Sequence, residues 1–503
     1  MLFEETMLEK GEYQKFVMFR ILKSLEGANY TISDIAEEMN ISYQQTYNIL
    51  QELLDDVQSF PNTELQSLSR KKLFNNKKIP ISVDMYRLFL LKRSIVFQFI
   101  DYVVQGMNPN VEKFCQDHYI SRSTLLRKNS GLKALLERYD IKISYNDLKF
   151  VGDEKQIRFF LYCFYWLSYR GIEWPFNSIR YFDVSQKLLL EKNELNDPVI
   201  TIRTVIFWSI SRIRILHGYY VSRIDRFDEI FPNEERLHQT DSIFNTDNFP
   251  TVSVQQLHME AQFFLFFRMQ SLVYSNSNDK LSNLIYDEVS RTKGPVWELT
   301  QDFMGSLKKY LVDNKEAERI TMDKTLNANI MRIFFSYYIM HGDYLQFNNF
   351  YDSGEAISYD NSVPYKVINI FISKKIEDPA FRPYVIAEDK VISEMQYLMI
   401  PYLSYFKYNE AVKVKLVLES SDLITRDLIT FLRDLSFIEI ESDSDEPENS
   451  DVIISSIEDL EEIYQGKNLD GKVIVNWNLD ATESEYFGLY QTLKEVFTQK
   501  ISI

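Results

Sequence analysis

Residues 110–130 read NVEKFCQDHYISRSTLLRKNS, and this stretch indicates how the N-terminal part of the chain folds. Short amphipathic segments lie on both sides of Ile120, and the second segment begins after Ser121. A serine immediately before a helix accepts a hydrogen bond from a free N–H group of the first turn. The stretch is therefore typical of a helix-turn-helix, although two short helices joined by a turn are also a common packing unit.

The same pattern occurs 79 residues earlier, where residues 31–54 read TISDIAEEMNISYQQTYNILQELL. Thr31 or Ser33 can cap a first helix, and Asn40 tolerates the left-handed conformation that a tight turn needs. Two copies with one shared offset are stronger support than either copy alone, so we predict two helix-turn-helix units. The corresponding positions are Ala36 and Cys115, Ile41 and Ile120, and Ser42 and Ser121.

The second helix of each unit carries side chains suited to nucleic acid. Arginine and lysine bind phosphates or guanine edges, serine and threonine bind either, and glutamine and asparagine pair with adenine. We therefore predict DNA contacts from both helices. The predicted contacts are Ser42, Tyr43, Gln44, Gln45 and Asn48 in the first unit and Ser121, Arg122, Ser123, Thr124, Arg127 and Lys128 in the second.

A basic segment follows the first unit. Residues 67–82 read SLSRKKLFNNKKIPIS and predict a β-hairpin that turns at Asn75 and Asn76. It is either a wing that contacts phosphates or a surface hairpin with solvated lysines. The wing interpretation adds Arg70, Lys71, Lys72, Lys77 and Lys78 to the predicted contacts.

Charge and composition narrow the class of protein. The chain has 503 residues and a net charge of −17, yet residues 62–133 hold 13 basic against 5 acidic residues. Such asymmetry favours a polyanionic partner at one end. With 14 glycines and 13 prolines, the composition favours helices over an all-β fold. No apolar run is long enough to span a membrane, and two cysteines do not form a disulfide framework, so we expect a cytoplasmic protein.

Motifs of enzymes and metal sites are missing from the sequence. We find no glycine-rich phosphate loop, no cysteine and histidine spacing typical of a metal site, and no nucleophile elbow. Five histidines and two cysteines, scattered along the chain, are a poor basis for a metal centre. We therefore expect no enzymatic activity, no metal and no cofactor.

Three runs resemble a known family. They are Ser121-Arg-Ser-Thr-Leu, Leu132-Lys-Ala-Leu-Leu and Val151-Gly-Asp-Glu-Lys-Gln-Ile-Arg158, and they are similar to the Mga/AtxA family of virulence-type transcriptional regulators from Gram-positive bacteria. The resemblance extends over the whole chain. It implies a multidomain, mainly α-helical protein with a C-terminal α/β domain. The implied domains are a winged helix-turn-helix at 1–82, a second helix-turn-helix at 83–158, two helical phosphotransferase-system regulation domains at 159–284 and 285–406, and a domain like enzyme IIB at 407–503.

Two histidines lie in a repeated context. Residues 216–220 read Leu-His-Gly-Tyr-Tyr and residues 340–344 read Met-His-Gly-Asp-Tyr, each after a long apolar run. On spacing alone, His217 and His341 are equally well explained as helix-capping residues. The resemblance implies that they accept phosphoryl groups from a phosphocarrier protein of the sugar phosphotransferase system. His258 and His238 are weaker candidates, and no histidine follows His341, so the second domain departs from the usual pair.

The C-terminal segment predicts a small parallel sheet. Apolar strands at 412–419, 437–442, 451–456 and 472–477 alternate with amphipathic segments such as 425–435. In enzyme IIB a cysteine after the first strand accepts the phosphoryl group, whereas here the loop is Glu419-Ser420-Ser421-Asp422. We therefore expect this domain to act in interaction, as the contact of a homodimer.

Taken together, these features predict a regulator that binds double-stranded promoter DNA and responds to histidine phosphorylation and dimerisation. The alternative is a signalling adaptor of the phosphotransferase system that binds proteins and no DNA. An RNA-binding antiterminator is disfavoured, because such proteins begin with a β-rich module and this chain begins with helical patterns. We expect no membrane partner.

Overall fold

The computed structural model describes residues 2–26, 30–61, 66, 78–190, 198–232, 243–273, 280–350, 362–406, 411–418, 422–435, 437–441, 449–457, 460, 464, 469, 471–478 and 480–502. Contacts divide the chain into two compact units. The first comprises Met1–Ile224, Glu234–Arg268 and Tyr344–Ser353, and the second comprises Asp225–Asn233, Met269–Asp343 and Gly354–Ile503. The five narrower domains inferred from the sequence stay predictions.

The first unit begins with short helices and a hairpin. Asp56 joins three of these helices, because its carboxylate accepts hydrogen bonds from Lys15, Tyr86 and Arg93 at 2.6, 3.2 and 2.6 Å. Charged donors make such hydrogen bonds strong and directional. The elements are α1 (Leu2–Met7), α2 (Lys10–Ser24), α3 (Ile32–Glu38), α4 (Tyr43–Gln58), α5 (Val83–Arg93), α6 (Ile95–Gln105), α7 (Val111–Asp117), α8 (Arg122–Lys128), α9 (Ser130–Glu137), β1 (Lys142–Ser144) and β2 (Lys149–Val151).

Longer helices with an aromatic core follow. They are α10 (Glu154–Tyr169), α11 (Tyr181–Leu190), α12 (Pro198–Leu216), α13 (Asp225–Ile230), which belongs to the second unit, and α14 (Val254–Met269). Phe207 of α12 stacks on Phe267 of α14 with 3.7 Å between ring centroids. Tyr344 packs against Phe159 at 5.1 Å, so a segment far along the sequence completes this core. Stacked rings of this kind contribute beyond the area that they bury.

The Gly-Asp-Glu run at 152–154 forms the junction between β2 and α10. Gly152 has φ +151°, and a Cβ atom there would lie 2.7 Å from the Asp140 carbonyl oxygen, so only glycine fits. Asp153 caps α10 by accepting a hydrogen bond from the Lys155 N–H at 2.9 Å. Glu154 then begins the helix with a buried carboxylate. Each residue of the run therefore has a separate structural reason.

Four buried charges cross-link the first unit. Arg158 donates to Glu154 at 3.0 Å and to both carboxylate oxygens of Glu260, and Arg214 donates to Glu154 at 2.9 and 2.7 Å. Glu260 also accepts from the Val221 N–H at 2.9 Å. Burial alone would raise the pKa of Glu154, but the two arginines hold it below its usual value. We call Glu154, Arg158, Arg214 and Glu260 the buried charge network.

The helical part of the second unit surrounds α18. Its elements are α15 (Lys280–Thr292), α16 (Pro295–Lys308), α17 (Asn314–Thr321), α18 (Lys324–Ile339), α19 (Val363–Ile376) and α20 (Glu388–Met399), with short 3-10 helices at Arg382–Tyr384 and Ile400–Tyr405. Arg332 of α18 is buried and donates to the Met269 carbonyl at 2.9 Å and to Ser282 at 3.0 Å. At the end of α18, Arg226 of α13 donates to the Tyr338 carbonyl at 2.8 Å.

The C-terminal residues form a parallel α/β sheet, as the sequence predicts. The strands β3 (Val412–Val417), β4 (Ile438–Ile440), β5 (Val452–Ser455) and β6 (Val473–Asn476) lie in the order β4-β3-β5-β6, and every described pairing is parallel. The helices α21 (Asp422–Asp434) and α22 (Glu483–Ser502) bury Leu428, Leu432 and Leu493 against it. The likeness to enzyme IIB remains an expectation.

The described residues contain neither a membrane-spanning helix nor a cluster of metal ligands. No helix among them is long and apolar enough to cross a membrane. Nor does the part of the chain with described coordinates bring together three or more side chains that could hold a metal ion. Cys115 and Cys163 are both buried and form no disulfide.

Glu154→Gln is expected to destabilise the first unit by about 3–5 kcal/mol, because breaking a buried ion pair leaves an uncompensated charge. Hydrogen exchange of the α10 and α12 amide groups measures this loss. The control is Glu318→Gln, which breaks an exposed pair with Lys308 and should cost below about 1 kcal/mol. Equal effects of the two variants would contradict the stabilising role of the buried charge network.

Candidate nucleic-acid interface

The first helix-turn-helix consists of α3 and α4, each begun by a reciprocal capping box. The Thr31 hydroxyl accepts from the Asp34 N–H, and the Ser42 hydroxyl accepts from the Gln45 N–H at 3.3 Å. Asn40 in the turn has φ 51°, the left-handed conformation expected from its residue type. The caps fix where α4 begins and therefore which residues occupy its exposed first turn.

The second helix-turn-helix, α7 and α8, repeats this geometry 79 residues later. Asn110 and Ser121 cap its helices. The Ile120 N–H donates to the Cys115 carbonyl at 3.0 Å, as Ile41 donates to Ala36 at 3.0 Å in the first unit. The prediction of two helix-turn-helix units is thus confirmed. Tyr119, with φ 53°, occupies the left-handed turn position, which tyrosine seldom adopts and which the sequence analysis missed.

The two helix-turn-helix motifs differ after their second helix. α4 continues to Gln58, whereas α8 ends at Lys128 and α9 begins at Ser130, with Asn129 buried between them. A hairpin then pairs β1 with β2 in antiparallel register, with Ile143 opposite Phe150. The wing of this second helix-turn-helix was not located in the sequence: no hairpin was predicted for residues 142–151. The Tyr-Asn-Asp turn between two alternating segments was the signal that could have revealed it.

The wing predicted for the first helix-turn-helix lies largely outside the described residues. That region includes Arg70, Lys71, Lys72 and Lys77. Lys78 is described and exposed. It is followed by Ile79, whose N–H donates to the Glu26 carboxylate at 2.9 Å. The contacts predicted for this wing stay predictions.

The DNA contacts predicted for the first helix-turn-helix lie together on the exposed beginning of α4. Tyr43, Gln44 and Asn48 are exposed, and Gln44 donates to Asn48 at 3.1 Å. Gln45 is exposed too, but its amide oxygen accepts from the backbone N–H of Ser42 at 3.3 Å. Gln45 therefore keeps its NH2 group for a ligand while its oxygen supports the cap.

The DNA contacts predicted for the second helix-turn-helix differ from one another in exposure and in their partners. Arg122, Ser123 and Arg127 are exposed, and within the described part of the chain Arg127 has no ion pair. Lys128 is only 20% exposed and pairs with Glu9, immediately before α2. Thr124 places its hydroxyl 2.9 Å from the Ser121 hydroxyl. Ser121 is exposed too, but its hydroxyl caps α8, so Arg122, Ser123 and Arg127 are the exposed members of this set that do not form the cap.

Comparison with known proteins matches this region. Residues 81–165 match the family model of the Mga helix-turn-helix domain, which covers the second helix-turn-helix, its wing and most of α10. A putative trans-acting regulator of Streptococcus pneumoniae serotype 4 is 24% identical over 205 residues, which is 39% of this chain and 40% of that protein. The capsule synthesis positive regulator AcpB of Bacillus anthracis is 22% identical over 397 residues, which is 73% of this chain and 77% of AcpB.

The matched domain model and the two relatives support the resemblance to the Mga/AtxA family of regulators from Gram-positive bacteria. The family model begins just before α5 and ends within α10, so it joins the second helix-turn-helix to the start of the helical part of the unit. The matched segment contains the Gly-Asp-Glu junction and Arg158 of the buried charge network.

The two candidate phosphorylation sites occupy equivalent helix ends. α12 ends one residue before His217, and α18 ends two residues before His341; each histidine precedes a glycine of positive φ. His341 is exposed and itself has φ 61°. His258, the weaker candidate, is exposed on α14, and His238 lies outside the described residues.

His217 is half-buried beside the buried charge network. Burial and the nearby charge of Arg214 hold the pKa of His217 below its usual value. A helix C-terminus by itself favours the charged imidazolium. The lowered pKa therefore favours a neutral imidazole and weighs against charge-dipole capping as the main role of His217.

Proposed function

We propose that this protein is a transcriptional regulator that binds promoter DNA through α4 and α8. The observation that carries the proposal is the repeated, capped helix-turn-helix, with polar or basic side chains exposed at the start of both second helices. A helix of this kind places its N-terminal residues at base edges in the major groove. Both relatives are named as regulators, which supports the same class of function.

Electrostatics favours DNA binding over the adaptor alternative. An acidic chain with a net charge of −17 gains no general affinity for DNA, so any binding must come from locally exposed basic groups. Arg122 and Arg127 provide such groups on one short helix. An adaptor would give no reason for an exposed arginine, Arg127, that has no ion pair in the described part of the chain, on a helix that also exposes Ser123.

We also propose that the protein acts as a homodimer, with the C-terminal α/β domain as the contact. Two copies would double the number of second helices that bind one site and raise the effective affinity without a new contact. Residues 405–503 hold 21 acidic against 9 basic residues. This charge makes the domain unsuited to DNA and leaves it available for protein contacts.

Regulation is proposed to act through phosphorylation of His217 and His341 by a phosphocarrier protein of the phosphotransferase system. A neutral imidazole nitrogen can attack a phosphoryl donor, and the product carries about two negative charges. Next to His217, those charges would compete with Glu154 for the Arg214 guanidinium. Glu154 begins α10 three residues after β2 ends at Val151. A shift of the Glu154–Arg214 pair would therefore act on the wing of the second helix-turn-helix.

Arg127→Ala is expected to weaken duplex binding and to reduce the slope of log affinity against log salt by about 0.9, the value for one lost phosphate contact. Fluorescence anisotropy with a labelled duplex across a salt series measures both quantities. Lys308→Ala, which removes an exposed charge from α16, is the control and should leave both unchanged. Absence of duplex binding by the wild type at every salt concentration would favour the adaptor alternative.

Phosphorylation is expected to require His217 and His341. The purified chain would be incubated with enzyme I, the phosphocarrier protein and phosphoenolpyruvate, and acid-labile phosphate would be located by mass spectrometry. His217→Ala and His341→Ala should each remove one site, because no other residue supplies the attacking nitrogen there. His118→Ala, which removes an imidazole whose ring centroid lies 4.2 Å from that of Phe114, should remove none. An unlabelled wild type would rule out this mode of regulation.

A further inference from the structure

We propose that Arg122 reads a guanine in the major groove and that Asn146 of the wing and Glu112 of α7 position its guanidinium for that contact. The proposal rests on the proposed function of DNA binding. It adds a division of labour within α8: Arg122 recognises a base, while Arg127 contacts phosphate. Asn146 and Glu112 are positioning residues rather than contacts.

The guanidinium of Arg122 is held on two sides. One terminal nitrogen donates to Asn146 Oδ1 at 3.3 Å, and the other lies 3.6 Å from Glu112 Oε1. The side chain nevertheless remains 48% exposed. A guanidinium has five N–H donors in a fixed plane, so these two partners leave donors for a ligand. The side chain is oriented without being blocked.

The wing turn is itself fixed, which makes Asn146 a firm support. The neighbouring Tyr145 stacks on Phe99 of α6 with ring centroids 5.7 Å apart. Its hydroxyl also accepts from the amide of Asn129, between α8 and α9, at 3.4 Å. Leu148 is buried at the end of the turn. The turn is thus anchored to α6 and to the junction between α8 and α9.

Arg122 and Arg127 differ in how much side-chain conformational entropy each loses on binding. An unrestrained arginine loses rotamer entropy when it adopts one geometry, whereas a pre-oriented arginine loses less. Bidentate recognition of guanine O6 and N7 needs one geometry, and a phosphate contact tolerates several. Arg122 is the first residue of α8 and is restrained, which fits base recognition. Arg127, in the last turn and unpaired among the described residues, fits phosphate.

Four variants separate these roles. Arg122→Ala and Arg122→Lys should each lower the discrimination between preferred and unrelated duplex about ten-fold or more, since lysine keeps the charge but lacks the planar fork. Asn146→Ala should lower discrimination several-fold with an unchanged salt slope. Asn146→Asp keeps the acceptor oxygen, so it should retain discrimination while its added negative charge weakens binding to every duplex. Thermal unfolding of each variant checks that the fold is kept.

The decisive experiment uses the full-length chain and a duplex enriched by it from a random pool. Each guanine is replaced in turn by 7-deazaguanine, which lacks the N7 acceptor. We expect one guanine per half-site whose replacement weakens the wild type about ten-fold and leaves Arg122→Lys unaffected. We expect the same replacement to have a reduced effect on Asn146→Ala.

Other results of these experiments would contradict specific parts of the proposal. If Arg122→Ala weakens all duplexes equally and reduces the salt slope, Arg122 is a phosphate contact and the inference fails while DNA binding stands. If Arg122→Ala loses discrimination and Asn146→Ala keeps it in full, the positioning role of Asn146 is wrong. If the wild type binds no duplex, the proposed function fails first, and the inference fails with it.

Discussion

The buried pairing of Glu154 with Arg214 is the constraint on which much of the first unit depends. Glu154 begins α10, and Arg214 lies in the last turn of α12, so their two hydrogen bonds of 2.9 and 2.7 Å set where these helices meet. Arg158 and Glu260 extend the pairing to α14, and Glu260 holds the Val221 N–H just after His217. Charges removed from water need such complete pairing, because an unpaired one is strongly destabilising.

This arrangement links the candidate regulatory histidine to the proposed DNA-binding part through short steps. Arg214 lies three residues before His217, and its partner Glu154 follows β2 of the wing across Gly152 and Asp153. The wing turn in turn holds Arg122. In this proposal, a charge added at His217 competes for Arg214, and the competition reaches the residue proposed to read a base. The elements involved all belong to one compact unit.

The sequence predicts those features that depend on neighbouring residues. Thr31, Ser42 and Ser121 cap helices at the expected positions, because capping acts over three residues and is visible in the chain. The parallel C-terminal sheet follows from strands alternating with helices. The wing at 142–151 was missed because its strands are only three residues long and their alternation is weak.

Long-range contacts could not be predicted. The run from Val151 to Arg158 was identified as a family marker. The partner of its Glu154, Arg214, lies 60 residues away, and the partner of its Arg158, Glu260, lies 102 residues away, so both depend on how the helices pack. The ion pair of Lys128 with Glu9, separated by 119 residues, is of the same kind. α13 contacts α18 of the second unit, although its sequence neighbours on the N-terminal side belong to the first. No local pattern indicates such a change.

The measurement that tests the central claim most directly is DNA cleavage from single introduced cysteines. Cys115 and Cys163 are buried, so an iron chelate can be attached selectively at Gln44→Cys or Ser123→Cys, with Gln186→Cys on α11 as the control. If α4 and α8 bind the duplex, the first two conjugates should cut it at defined and different positions, and the control should not. Cleavage that is absent from both helices, or equal from the control, would contradict the assignment of α4 and α8 as the DNA-binding helices.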